Sequence, residues 1–186
     1  MTKKKLPTTG RIGRFARALE KETSRKVVEG AIDDIDAYLK FNNAEKAAWW
    51  LKTMENLRKS IGKPTLIKVM QACGGKCCGI TSRKRAKLYW SQSKSLKDFI
   101  NKLNKHHLGG GRLKLIDERT VTGGYNTCYC GQVKQTTSSF PSDTYCQCST
   151  AWYKQLFETA LMKPVSVELK KSIIQGNKTC EFVIRI

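Results

Sequence analysis

The sequence predicts an α+β fold in which an N-terminal helical bundle packs on a curved antiparallel sheet confined to the second half. Two observations carry that reading. Apolar residues recur at helical spacing up to about residue 108, and from Arg112 onward they alternate with polar residues in short runs punctuated by glycine. A third is size: 186 residues with 40% hydrophobic composition suffice for one proper core. The expected organisation is a flexible basic tail over 1–10 and a single domain over 11–186. That domain divides into a helical part (11–108) and a cysteine-rich β-β-α-β-β part (112–186).

Residues 11–40 place Ile12, Phe15, Leu19, Val27, Ile32, Ile35 and Leu39 largely on one helical stripe, one long or two short amphipathic helices with Gly30 as a candidate break. The next helix starts at an asparagine, is alanine-rich, carries Trp50, Met54, Leu57 and Ile61 on one face, and stops at Gly62-Lys63-Pro64. A third begins at Pro64 and ends at Gly74-Gly75, which leaves Cys73 at a helix end and Cys77 and Cys78 in the following loop. "TSRKRAKLYWSQS" and "SLKDFINKLNKHHLGGG" are helices, the second capped by Ser95 with Asp98 three residues on. Leu113 and Leu115 then alternate with charge, and Gly123-Gly124 is the expected hairpin turn. A helix bearing Trp152, Leu156, Phe157 and Leu161 precedes two alternating runs joined at Gly176-Asn177.

The formal charge of +20 is unevenly placed, since residues 1–119 hold 28 Lys+Arg against 11 Asp+Glu. A basic front half points to an anionic partner, nucleic acid or a phosphate ligand, or else to a well-solvated surface. No apolar run approaches the roughly 20 residues that span a bilayer, and no apolar stretch follows the basic start to make a secretory signal. The expected location is the cytoplasm, where thiols stay mostly reduced. Oligomeric state is open, a homodimer included.

"CYCGQVKQTTSSFPSDTYCQC" sets Cys128, Cys130, Cys146 and Cys148 as two Cys-x-Cys pairs around a cysteine-free interval. Residues i and i+2 of a strand lie about 6.6 Å apart, whereas two thiolates on one zinc lie about 3.8 Å apart. Chelation therefore needs a backbone bend, which Gly131 and a helix start after Cys148 would supply. Three readings stand: a closed zinc site formed by these four cysteines, disulfides, or free thiols lining a core or pocket, with Cys180 of the last strand beside Cys128 and Cys130. In "CGGKCC", Cys73, Cys77 and Cys78 are candidates for a reactive thiol, with Lys76 and the nearby Arg83, Lys84 and Arg85 favouring the thiolate; the alternative is free thiols at a helix end. His106 and His107 end a helix, where imidazolium is stabilised by the helix dipole; a catalytic role would pair one with a cysteine.

From about Arg112 onward the hairpin ending in Cys128 and Cys130, the helix led by Cys146 and Cys148, and the closing "GNKTCEFVIRI" are similar to the C-terminal half of 4-vinyl reductase domains and of their relatives, including L-2-amino-thiazoline-4-carboxylic acid hydrolase-like proteins. The resemblance implies helices leading into a curved antiparallel sheet around a small-molecule pocket, metal-dependent or cysteine-rich in some members. The leading expectation is a cysteine-rich domain that binds a small molecule or zinc. The alternatives are a thiol-dependent hydrolase and a nucleic-acid module with a structural zinc knuckle. The last would use Arg83, Lys84, Arg85 and Lys87 for phosphates and Tyr89 and Trp90 for stacking.

Overall fold

The structure, a computed structural model, describes residues 6–32, 35–136, 140 and 142–186. The helices are α1 (Gly10–Glu22), α2 (Arg25–Ala31), α3 (Ile35–Lys40), α4 (Asn43–Cys77), α5 (Ile80–Ser91) and α6 (Leu96–Lys105). There follow β1 (Lys114–Leu115), β2 (Thr120–Tyr125), α7 (Ser142–Tyr145), α8 (Gln147–Leu161), β3 (Ser166–Lys171), a 3-10 turn (Ile173–Gln175) and β4 (Cys180–Arg185). The class is α+β, as the change of periodicity predicts. Of the expected basic tail, residues 1–5 lie outside the described residues, while Leu6 packs against the helical core.

Local chemistry explains where the helices start. Ser24, not Gly30, breaks the first span: its side chain accepts from the Val27 N–H and caps α2, while Gly30 lies inside that helix. Asn42 accepts from the Ala44 and Glu45 amides at 2.9 and 3.0 Å, and Glu45 accepts in return from the Asn42 N–H at 2.7 Å. This reciprocal box opens α4. The stop expected at Gly62-Lys63-Pro64 is a sharp kink within α4, with Gly62 at φ 76° and Pro64 unable to donate to the preceding turn.

The sheet has the order β1-β2-β4-β3 with every pairing antiparallel. Val121 and Val167 both flank Ile184, and Tyr125 faces Cys180 at the other end of the β2–β4 pair. Cys180, Phe182 and Ile184 point to the buried face. The hairpin turn falls at Asp117–Arg119, where Asp117 accepts from the Arg119 N–H, and not at Gly123-Gly124. Those glycines lie inside β2 because a side chain at Gly124 would overlap the Cys180 carbonyl oxygen.

Helix α8 lies between the sheet and the rest of the bundle: β3 and β4 pack on it, as do α4 and α5. Helices α1, α2, α3 and α7 gather on α4. Two hydrophobic cores result. The first, around Phe15, Trp50, Met54, Leu66 and Tyr145, lies among the helices; the second, around Phe99, Tyr153, Phe157, Phe182 and Ile184, lies between α8 and the sheet.

Candidate functional site

At the seam of the two cores is a cavity of about 540 Å³. Six cysteines reach it: Cys77, Cys128, Cys130, Cys146, Cys148 and Cys180. Tyr145 and Val133 line it from the helical core, Tyr125, Trp152 and Phe182 from the sheet-side core. Tyr129, 70% exposed, is at the rim with its ring edge-on to Tyr125. Cys180 and Tyr125 arrive together because they are paired in register across β4 and β2.

The sequence places Cys77 in a loop; the structure places it on α4, one turn beyond Cys73. Gly74 does not end the helix, because its missing side chain serves packing: a Cβ there would overlap the backbone of Cys148. This close approach of α4 and α8 brings Cys73 and Cys77 up to the Cys146–Cys148 turn. Cys78, the residue after α4, turns away into the sheet-side core.

Arg11 is the cavity residue that sequence reasoning missed. It lies in the first turn of α1, sets its guanidinium 5.0 Å from the Tyr145 ring centroid and 6.0 Å from that of Trp50, and donates from Nη2 to Cys148 Sγ at 3.3 Å. Its Nε is buried with no hydrogen-bond partner among the described residues. Only its i, i+3 relation to Arg14 on an otherwise apolar helix face marks it in the sequence.

The thiols fall into two electrostatic groups. Burial pushes Cys128 up to about 11 and raises Cys146 and Cys148 as well, with Arg11 opposing the rise at Cys148. These are neutral thiols at pH 7. Cys77 moves the other way: a hydrogen bond from Cys73 and the charges of Arg11 and Arg14 outweigh its burial and hold it below the ordinary thiol range. The same pairing, with burial, raises Cys73.

The zinc expectation for Cys128, Cys130, Cys146 and Cys148 is corrected. Among the described residues no three His, Cys, Asp or Glu side chains are gathered as metal ligands. The sulfurs have other partners: Cys130 meets the Tyr145 hydroxyl at 3.2 Å, Cys146 meets the Ser172 hydroxyl at 3.3 Å, and the cation beside Cys148 is Arg11. All eight cysteines are free thiols, so the disulfide alternative is not formed either. His107 belongs to the cavity wall, while His106 stacks on Tyr89 with centroids 4.7 Å apart.

Elsewhere, Lys84, Arg85 and Lys87 are exposed on α5, and Arg83 is half-buried. Arg85 donates to the Tyr89 hydroxyl, and Trp90 packs edge-on against Phe99. A polar groove of about 630 Å³ runs between α4, α8 and β3, with Lys76, Arg83, Lys154 and Glu158 in its walls. Among the described residues no helix is long and apolar enough to cross a membrane.

Fold and cavity together define a small α+β domain with a thiol-rich pocket between its two cores. The chain belongs to the Family of unknown function (DUF6144), matched over residues 13–186. No curated protein matches it. Among solved structures it is similar to a trafficking protein particle complex subunit 3 from Naegleria fowleri covalently bound to palmitic acid. That similarity is at 14% identity, covering 73% of this chain and 91% of that one, with a TM-score of 0.43.

Proposed function

We propose that this chain is a binding domain for a small, largely apolar molecule that carries one acidic group. The observation that supports this reading is the cavity: its volume of about 540 Å³ lies within the range of small-molecule sites, roughly 300–1,000 Å³. Its walls include aromatic rings and the neutral thiols of Cys128, Cys146 and Cys148, which favour an apolar body. The unpartnered Nε of Arg11 favours an acid, because a buried cationic donor without a partner costs free energy that an anionic ligand would offset. We place the protein in the cytoplasm, on its cysteine usage.

The test is titration with 1-anilinonaphthalene-8-sulfonate, which combines aromatic rings with one sulfonate. The expected result is saturable binding of one dye per folded chain. Ser149→Trp, which fills the cavity, should abolish it, and Arg11→Gln should weaken it about tenfold, the equivalent of one charge-assisted hydrogen bond of roughly 1.5 kcal/mol. Near-UV circular dichroism establishes that both variants are folded. Non-saturable binding, or binding indifferent to both substitutions, contradicts the reading.

Nucleic-acid binding through Arg83, Lys84, Arg85 and Lys87 has less in its favour. The aromatic partners it needs are engaged within the protein, Tyr89 on His106 and Trp90 on Phe99.

A further inference from the structure

We infer that the polar groove between α4, α8 and β3 is a second binding site, one that takes the phosphate end of a small phosphorylated molecule. The groove is separate from the thiol-lined cavity, since no residue lines both, and the inference does not rest on the reading proposed for that cavity. Its volume of about 630 Å³ lies in the small-molecule range of roughly 300–1,000 Å³. Regular helical spacing builds it. Lys154 and Glu158 are four residues apart on α8, and Ala72 and Lys76 on α4, so each pair shares a helix face. Arg83 reaches the groove from the first turn of α5.

Charge is the first observation. Among the described residues the walls hold three cations, Lys76, Arg83 and Lys154, against the single carboxylate of Glu158. That carboxylate is already engaged: its Oε1 accepts from the Val165 N–H at 3.1 Å and lies 3.8 Å from Lys154 Nζ. Lys154 is accounted for by this pair, and Lys76 by its place in the last turn of α4, where the helix dipole favours a cation. Arg83 has neither account. It stands at the opposite end of a helix dipole, in the first turn of α5, and its Nε is buried with no hydrogen-bond partner among the described residues. A buried cationic donor in that position costs free energy that an anion would offset. The guanidinium fork fits phosphate oxygens.

The glycine pair on α4 is the second observation. Gly74 is needed where α4 crosses Cys148, but no neighbour demands Gly75. A Cβ on Gly75 would meet nothing nearer than Gln155 Oε1 at 4.0 Å. Both residues are in the groove wall, so the added atom would stand in the groove. Within a helix glycine is less favourable than any residue except proline, and here its effect is a floor left open beside Lys76. The body of the ligand is polar as well, because the Gln71 and Gln155 amides and the Ser166 hydroxyl share the walls with the cations. This suits a molecule with hydroxyl groups, such as a sugar phosphate, and not the apolar acid proposed for the cavity.

The test is amide chemical-shift mapping of the full chain in phosphate-free buffer with ~150 mM sodium chloride, where contacts between exposed charges are largely screened. Inorganic phosphate should give saturable shifts at 75–76, 83, 154–158 and 165–167, with a Kd on the order of 1 mM. Glucose 6-phosphate should move the same amides at least as tightly, and glucose alone should move none. Arg83→Gln should weaken both phosphates about tenfold, the loss of one charge-assisted hydrogen bond. Arg83→Lys keeps the charge but lacks the Nε donor, and should not restore full affinity. Lys76→Gln, at an exposed position, carries the same test should the Arg83 variants fold poorly, with an expected loss of about threefold. Gly75→Leu, which fills the floor, should exclude glucose 6-phosphate. Shifts that do not saturate, that follow the exposed basic residues of α5 and not the groove, or that are unchanged in both Arg83→Gln and Lys76→Gln overturn the inference. Displacement of phosphate by a thymidine oligonucleotide would make the groove part of a nucleic-acid tract, and displacement of anilinonaphthalene sulfonate by phosphate would merge the two sites; either overturns it too.

Discussion

The two cores are of similar make-up at their centres and differ where they meet. The sheet-side core is closed by paired strands and by interlocking rings, with Phe99 and Phe157 edge-on at 5.9 Å and Tyr153 hydrogen-bonded to the Gly109 carbonyl at 2.8 Å. The helical core is finished on its cavity side by Cys130, Cys148 and Arg11, whose polar atoms need partners that methyl groups do not. One region therefore has stability as its main outcome. The other holds a cation and a set of sulfurs at the edge of an open space, an arrangement that packing alone would not favour.

The largest effect that can break this comparison comes from truncating one ring in each core. Trp50 and Phe157 are both fully buried, and replacing either with alanine should cost about 3–5 kcal/mol in denaturant unfolding. The two should part in ligand binding. Trp50→Ala also removes the ring beneath Arg11 and beside Tyr145, so dye affinity per folded chain falls. Phe157→Ala should leave that affinity unchanged. Equal losses of affinity would mean that the cores are not separable.

A smaller effect is expected at their junction. Gly74→Ala forces α4 and α8 apart at Cys148, which should cost about 1–3 kcal/mol, as overpacking does. It should also raise the dye dissociation constant. A neutral result in both measurements would deny that this contact shapes the cavity.

The smallest effect concerns pH. Burial pushes Cys78 up to about 11 in the folded chain, whereas an unfolded thiol ionises near about 8.5. Between those values the unfolded state releases a proton that the folded state keeps, so stability falls as pH rises through this window and is unaffected below it. Thermal unfolding at pH 8 and pH 10.5 should show a steeper loss for the wild-type chain than for Cys78→Ala. Identical slopes would remove Cys78 as a source of alkaline sensitivity.

The sequence made the helix stripes and the last two strands legible because burial repeats with the period of the backbone: Trp50, Met54 and Leu57, then Cys180, Phe182 and Ile184, all face inward as spaced. It misled at glycines. Gly74 and Gly124 read as breaks, yet each marks a place where another chain segment passes too close for a side chain. That information lies in the partner, not in the local sequence. The same holds for the site. Two Cys-x-Cys pairs suggested zinc, but the cation that came to them was Arg11, 137 positions from Cys148 in the chain. Cys77 was named among three candidates, and it is the one of the three that the close approach of α4 and α8 brings into the cavity wall.

The location of ligand binding is tested most directly by amide chemical-shift mapping of the folded chain with anilinonaphthalene sulfonate. The shifts should concentrate in three segments that line the cavity, 108–110, 128–133 and 145–152. Shifts centred instead on the exposed face of α5, or on the polar groove beside Val165–Val167, would contradict a ligand site between the two cores.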